Sequence, residues 1–260
     1  METINILSID FDFFQKVEAD IIHKYYPDGI DLSPALSTSV WEHHNALAIA
    51  KGDDLREKVK LDRERLKELK EVINNNSENL FRGMICDSHV HAYNFVHSVI
   101  DSKEAIRVNI VNIDLHHDVF NDNKKLDCGN WYGKLIEDME AKRIPHQAHW
   151  ITQPTSLEIY DLQENEFPVE TDFERIKETK WDAVYLCRSC NWLPPHLDKD
   201  FSDFAEFLRG EIKIAIEEET EATVPRKINQ AKIEKEAKSF KKALDRANHE
   251  GATRKHKISQ

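Results

Sequence analysis

Cysteine is scarce in this chain, long apolar runs are absent, and positive charge is in the minority. The four cysteines are Cys86, Cys128, Cys187 and Cys190, too few and too scattered for a disulfide framework. Cys187 and Cys190 form a C-x-x-C, but a zinc site needs further soft ligands, and Cys86 and Cys128 sit in unrelated segments. No stretch has the length of a membrane span. The first residues run straight into a strand-like segment rather than a secretory leader, so a cytoplasmic chain with reduced thiols is expected. A formal net charge of −12 disfavours nucleic acid and anionic membranes as partners. No internal repeat is present.

What is present is a mixture of short apolar runs and charged helical segments. At 260 residues, 40% apolar and 32% charged, the chain suits one large α/β domain with a helical appendage. Ile4–Phe14 begins as a buried strand and ends in alternating aspartates. Leu80–Cys86, Arg107–Ile113, His149–Thr152 and Ala183–Cys187 read as further strands. Helices are expected over Val40–Lys51 (capped by Ser37, Thr38 or Ser39), Asp53–Asn74, Tyr93–Ile100 and Trp131–Lys142. Another starts at Phe201–Leu208. Strands alternating with helices predict a parallel sheet with helices on both faces. Residues 217–221 are acidic and Arg226–Lys257 is basic, both reading as solvated helix faces. Pro225 marks the boundary between a core at 1–224 and an extension at 225–260. A helix over Ala231–Ala247 reads as charged nearly all round, so it is expected to serve assembly or peptide capture.

Chemistry concentrates at strand ends. Asp114-x-His116-x-Asp118 follows the clearest buried strand, and alternate side chains of an extended segment point the same way. Three ligands, carboxylate and imidazole, at the carboxyl edge of a parallel sheet suit manganese, iron or zinc. Ser8-Ile-Asp10-Phe-Asp12 ends the first strand, and two carboxylates among apolar neighbours repel unless a cation lies between them. Asp87-Ser88-His89-x-His91 closes another strand, where either His89 or His91 is the histidine ligand. Glu42-His43-His44 is a further cluster, whose plainer account is a helix start with surface histidines. Tyr185–Trp192, followed by Pro194-Pro195, suits a loop at the rim of a site.

These motifs resemble those of the ureohydrolases, the family of arginase and agmatinase. Asp114-Leu-His116-His-Asp118 resembles their D-x-H-x-D, Ser8-Ile-Asp10-Phe-Asp12 their S-x-D-x-D, and Asp87-Ser88-His89 their G-G-D-H. Cys128-Gly-Asn-Trp-Tyr-Gly133 is similar to their S-G-N-x-H-G. The motif order is circularly permuted, since S-x-D-x-D comes last in the family and first here. Tyr132 stands where arginases carry a histidine. The segments around His89, Asp114–Asp118, Asn130-Trp131 and Cys187–Pro195 also resemble an arginase-like family that includes peptide arginases of ribosomal-peptide maturation.

The resemblance implies an arginase–deacetylase-like fold and two Mn²⁺ ions that activate water against a guanidinium carbon. It places Asp10 and Asp114 as bridges, His89 and Asp118 on one metal, and His116 and Asp12 on the other. Glu42 falls where the family's guanidinium-binding glutamate lies. Proton donors to the leaving amine are left open among His43, His44, His91 and metal-bound water, and Asn130 is a candidate substrate contact. The implied activity is conversion of arginine side chains in a precursor peptide to ornithine with release of urea. The alternatives are hydrolysis of free arginine or another small guanidino compound, and a zinc deacetylase on the same fold. The arginine-containing precursor peptide is the implied partner, and a homo-oligomer stays open.

Overall fold

A computed structural model describes residues 3–27, 31–103, 107–120, 125–160, 168–211, 216–218 and 222–258. The first strand, β1 (Thr3–Asp10), runs into a 3-10 turn at Phe11–Phe14 and a short strand β2 (Gln15–Lys16). Helices α1 (Ala19–Tyr25), α2 (Pro34–Lys51) and α3 (Leu55–Lys58) follow, then β3 (Lys60–Leu61) and α4 (Arg63–Asn76). Next come β4 (Arg82–Cys86), α5 (His91–Lys103), β5 (Arg107–Ile113), α6 (Trp131–Ala141), β6 (His146–Ile151), α7 (Pro154–Ile159) and β7 (Val169–Glu170). The described chain ends with β8 (Ala183–Cys187), α8 (Asp198–Glu211), β9 (Ile216–Glu218) and α9 (Gln230–Ile258).

The seven-stranded sheet has the order β7-β6-β5-β1-β8-β4-β9, and every pairing within it is parallel. Side chains alternate across it, as the period of a strand requires. Ile4, Ile6, Val108, Ile110, Ala183 and Tyr185 face a core completed by Phe95, Val99 and Leu135 of α5 and α6. Leu7, Ile9, Val111, Ile113, Val184 and Leu186 face the other core, completed by Trp41, Leu69, Ile73 and Phe204 of α2, α4 and α8. The sheet is therefore covered by helices on both faces, the α/β arrangement that the alternation of motifs predicts.

Local differences from the sequence reading have local causes. The single helix expected over Asp53–Asn74 is two helices, because both Asp54 and Asp62 act as N-caps: their side chains accept from Arg56 N and Arg65 N. Helix α2 begins earlier than Val40, at Pro34, where a proline suits the first helical position, and Gly52 ends it at φ +94°.

The reading of α9 as charged all round is corrected. Ile233 and Ala237 are buried against Ala46 of α2, with Phe240 and Ile228 packed beside them. Positions 233, 237 and 240 share one helical face, so an apolar stripe seats α9 on α2. Of the acidic run, read as a helix face, Glu217 and Glu218 instead lie in strand β9, and residues 219–221 lie outside the described residues. Among the described residues, no helix is long and apolar enough to cross a membrane.

Candidate metal centre

Strand β1 is central, with β5 on one side and β8 and β4 on the other. The chain crosses over β1 between β4 and β5, so the carboxyl ends of four strands open a crevice at this reversal of strand order. Asp10 ends β1, His89 follows β4, Asp114 follows β5 and Ser189 follows β8. All are buried.

Six side chains predicted as metal ligands meet there: Asp10, Asp12, His89, Asp114, His116 and Asp118. Nδ1 of His89 lies 3.2 Å from Asp10 Oδ2, 3.1 Å from Asp114 Oδ2 and 3.1 Å from Asp118 Oδ2. Nδ1 of His116 lies 3.0 Å from Asp12 Oδ2 and 3.6 Å from Asp114 Oδ1. Two ligand groups result, Asp10–His89–Asp114 and Asp12–Asp114–His116; Asp114 belongs to both, whereas Asp10, expected as a second bridge, belongs to the first alone. Its two oxygens face different clusters.

The backbone explains the aim of each group. Asp12 lies in the 3-10 turn rather than in the strand, and its Oδ1 accepts from Leu115 N at 3.3 Å. Asp114 Oδ1 accepts from His116 N at 2.8 Å, and its Oδ2 accepts from Asn112 Nδ2 at 3.2 Å. The segment from Asp114 bends after β5, so the alternate side chains do not converge on one point: His116 turns to Asp12, and Asp118 to His89. Asp118 adopts φ +53°, and its Oδ2 accepts from Trp131 Nε1 at 2.6 Å. His89 Nε2 lies 2.8 Å from Ser8 Oγ. With Nε2–H donated to that hydroxyl, Nδ1 keeps its lone pair for the cluster, the usual orientation of a ligating histidine.

The residues fit a divalent cation. His89 Nδ1 and Asp12 Oδ2 are buried without a hydrogen-bond partner. Four buried carboxylates crowd around two imidazoles, and their full ionisation in a low-dielectric interior calls for cations among them. The titration directions show the stress. Burial, then the neighbouring Asp114, raises Asp10, and burial, then Asp10, raises Asp12 well above the carboxylate range. Burial, then Asp114, pushes Asp118 to about 7. Burial opposes the charge of Asp114 too, but hydrogen bonds to His116 and His89 pull its carboxyl below the usual range. These buried Asp and His groups can hold a metal ion.

Asp10, His89, His116 and Asp118 also line a cavity of about 410 Å³. Its remaining wall includes Phe120, Tyr160 and Trp192, with Asp127, Cys128 and Asn130 at the α6 side. Burial, opposed by the charge of His116, sets Tyr160 at about 12, so its phenol is neutral and a hydrogen donor at physiological pH. Burial, then Asp31, sets Cys128 at about 12, which keeps it a thiol.

Other predicted residues lie elsewhere. Glu42 is corrected: its Oε1 accepts from Asn229 N and its Oε2 from Lys232 Nζ, each at 2.7 Å, so α9 holds the carboxylate outside the cavity wall. His43 packs its ring on Phe240 with centroids 5.1 Å apart, and His44 stands beside it at 6.0 Å. Neither lines the cavity, and nor does His91, the first residue of α5. Asn130 does line it, but its Oδ1 accepts from Asp127 N and its Nδ2 donates to Lys125 O, both at 2.9 Å. Tyr132 is a core residue whose hydroxyl donates to Ile110 O and His149 O. Cys187 and Cys190 belong to neither ligand group.

Sequence reasoning missed Ser189, Asp127, Tyr160 and Trp192. Ser189 Oγ donates to Asp10 Oδ2 from a backbone at φ +48°. Trp192 packs its ring 4.3 Å from that of His116. Only the rim-loop reading of Tyr185–Trp192 carried any signal for two of them. No protein-family model, curated protein or solved structure matches this chain.

Proposed function

We propose that this chain is a binuclear Mn²⁺-dependent hydrolase acting on arginine side chains of a peptide, with ornithine and urea as products. The observation that carries the reading is the division of Asp114, whose Oδ2 faces His89 and whose Oδ1 faces His116 in the two ligand groups. A carboxylate shared in this way is what a two-metal site requires. Asp10, His89, Asp114 and Asp118 would hold one ion, and Asp12, Asp114 and His116 the other. A carboxylate-rich set without sulfur favours Mn²⁺ over Zn²⁺, against a mononuclear zinc deacetylase. When bound, the pair of ions supplies an activated water nucleophile at neutral pH.

The chain's own residues do the rest. With Glu42 held from the α9 side, Asp127, whose Oδ1 also accepts from Gly129 N at 3.1 Å, is among the described residues the carboxylate on the cavity wall outside the ligand set, and it would take the role of pairing with a guanidinium. Phe120, Tyr160 and Trp192 offer ring faces that attract the same planar cation. Tyr160, on the cavity wall and neutral at physiological pH, would give a proton toward the leaving amine. The apolar wall keeps bulk water from the reacting carbon.

The test is metal analysis of the purified chain followed by a urea assay on an arginine-containing peptide. About two Mn per chain and a mass loss of about 42 Da per modified arginine are expected from this chemistry. One Zn, or no urea from any guanidino substrate, would sink the proposal.

A further inference from the structure

Residue Arg226 lies far from the cavity in sequence, in the segment between β9 and α9, yet it is buried beneath the loop that carries Ser189 and Trp192. Its guanidinium is fully used. Nε and Nη2 hold the two oxygens of Asp198 at 2.8 and 2.6 Å, in the two-pronged geometry that only arginine provides. Nη2 also donates to Leu193 O at 2.6 Å, and Nη1 donates to Cys190 O at 2.5 Å and Ser37 Oγ at 2.9 Å. The carbonyl of Cys190 is the focus, because Ser37 Oγ and Trp41 Nε1 donate to it as well, at 2.6 and 2.9 Å. On the other side of Ser189, Arg188 is tied to Asp87 Oδ1 at 2.6 Å and to Val224 O at 2.7 Å.

Ser189 is thus pinned on both flanks, and it needs to be. A non-glycine residue at φ +48° is strained and persists only where its surroundings impose it. The strained backbone aims Oγ at Asp10 Oδ2, the same oxygen that faces His89 Nδ1 at 3.2 Å. Occupying one lone pair of that oxygen fixes the rotation of the carboxylate and leaves the rest of it to the ligand cluster. Three residues on, Trp192 packs against His116 of the second cluster. The one loop therefore touches both clusters, and Arg226 holds its Cys190 and Leu193 carbonyls.

We infer that Arg226 is a positioning residue of the metal centre, acting through the Cys190 carbonyl to set the Ser189 hydroxyl on Asp10. This rests on the metal-centre reading above. It also gives the segment beyond Pro225, expected to serve assembly or peptide capture, a part in the site: that segment supplies the clamp.

The test is Mn²⁺ binding, by calorimetry and by the electron paramagnetic resonance of the metal, in Arg226→Lys, Ser189→Ala and the double variant. Lysine keeps the charge and loses the fork. Each single variant is expected to weaken Mn²⁺ binding by about 10-fold or more, as loss of an outer partner of a ligand does, with an unchanged circular dichroism spectrum. The double variant is expected to bind no more weakly than Ser189→Ala, because both changes remove one interaction. Lys232→Ala, which loosens α9 from α2 without touching the loop, is expected to leave Mn²⁺ affinity intact. Should Arg226→Lys not fold, Trp41→Phe removes another donor from the Cys190 carbonyl and is expected to weaken binding severalfold. Wild-type affinity in a folded Arg226→Lys (or, failing that, in Trp41→Phe), losses that multiply in the double variant, or an equal loss in Lys232→Ala would each overturn the inference. A wild-type chain that takes up no Mn²⁺ would instead remove the metal-centre reading, and this inference with it.

Discussion

His89 Nδ1 stands 3.1 Å from Asp114 Oδ2, although β1 and β8 separate the strands that deliver them. The contact exists because four parallel strands end at one level and their following loops fold inward. His91 shares the same loop signature in the sequence but opens α5 and does not line the cavity. His89→Ala is therefore expected to weaken Mn²⁺ binding by more than about 10-fold. His91→Ala is expected to change it less than about twofold on the same scale. A titration of both variants, with the opposite ranking, would refute the placement.

Asp114 offers a sharper case. With one ion in each ligand group, as proposed, loss of the carboxylate common to both would disturb both ions, whereas loss of Asp12 would disturb the group that includes His116. Asp114→Ala is expected to retain no tightly bound metal, and Asp12→Ala to retain one equivalent. Elemental analysis after gel filtration distinguishes the two, and equal retention would contradict a shared ligand.

Much of this site was legible because parallel sheets put chemistry at strand ends. Asp10, His89 and Asp114 each follow an apolar run, and the runs marked the strands. Period two was a poorer guide beyond the strand. Asp114 bends out of extended geometry, so His116 and Asp118 serve different clusters. Contacts across long sequence separations left no local trace. Glu42 reads as a free helical carboxylate until Lys232, from the far end of the chain, is seen to hold it. Arg226 reads as one of many tail cations, and only packing reveals six hydrogen bonds from its backbone and side chain. In α9 the stripe of Ile233, Ala237 and Phe240 was present at helical spacing but was masked by the surrounding lysines and glutamates.

Metal and stability are linked. If the buried carboxylates hold Mn²⁺ as proposed, the ion binds the folded chain in preference to the unfolded one. At a hundredfold excess over Kd, one ion adds about 2.7 kcal/mol of stability. For a chain of this size that raises Tm by about 5–10 °C. Thermal scans with Mn²⁺ and with chelator check it, and identical transitions would mean that no ion is held.

Glu42 gives a pH-dependent signature at a distance from the metals. Burial pushes its carboxyl up, but hydrogen bonds from Lys232 and Asn229 more than offset this, and the folded value lies below the usual glutamate range. Such a group contributes stability that is fully present above its unfolded pKa, about 4.3, and is lost as pH falls through the folded value. Lys232 is well exposed, so the effect is modest. Glu42→Gln is expected to lower Tm by about 2–4 °C at pH 7. The gap is expected to close as pH falls through the folded value, below the usual glutamate range, where both chains come to carry a neutral group. A gap that persists in acid would show that the carboxylate charge is not what holds α9.

The substrate is the most discriminating question. A free-arginine enzyme needs partners for an α-amine and an α-carboxylate as well as for the guanidinium. The described cavity wall offers carboxylates and aromatic rings but no arginine or lysine to meet a carboxylate. A peptide-borne arginine presents only the guanidinium and its alkyl stem, which match Asp127 and the faces of Phe120, Tyr160 and Trp192. The chain's formal charge of −12 would also speed encounter with a cationic peptide. Turnover of an arginine-containing peptide is therefore expected to exceed that of free arginine, read as urea released and as a mass loss of about 42 Da per residue. Asp127→Asn keeps the shape of the side chain and removes its charge. It is expected to raise KM for the peptide by about 10-fold or more, the scale of losing a charge-assisted hydrogen bond of about 1.5–3 kcal/mol. Mn²⁺ content should stay unchanged, since Asp127 belongs to neither ligand group. Efficient hydrolysis of free arginine beside an untouched peptide would leave a ureohydrolase of small molecules, and an unaltered KM in Asp127→Asn would move the guanidinium to another part of the cavity.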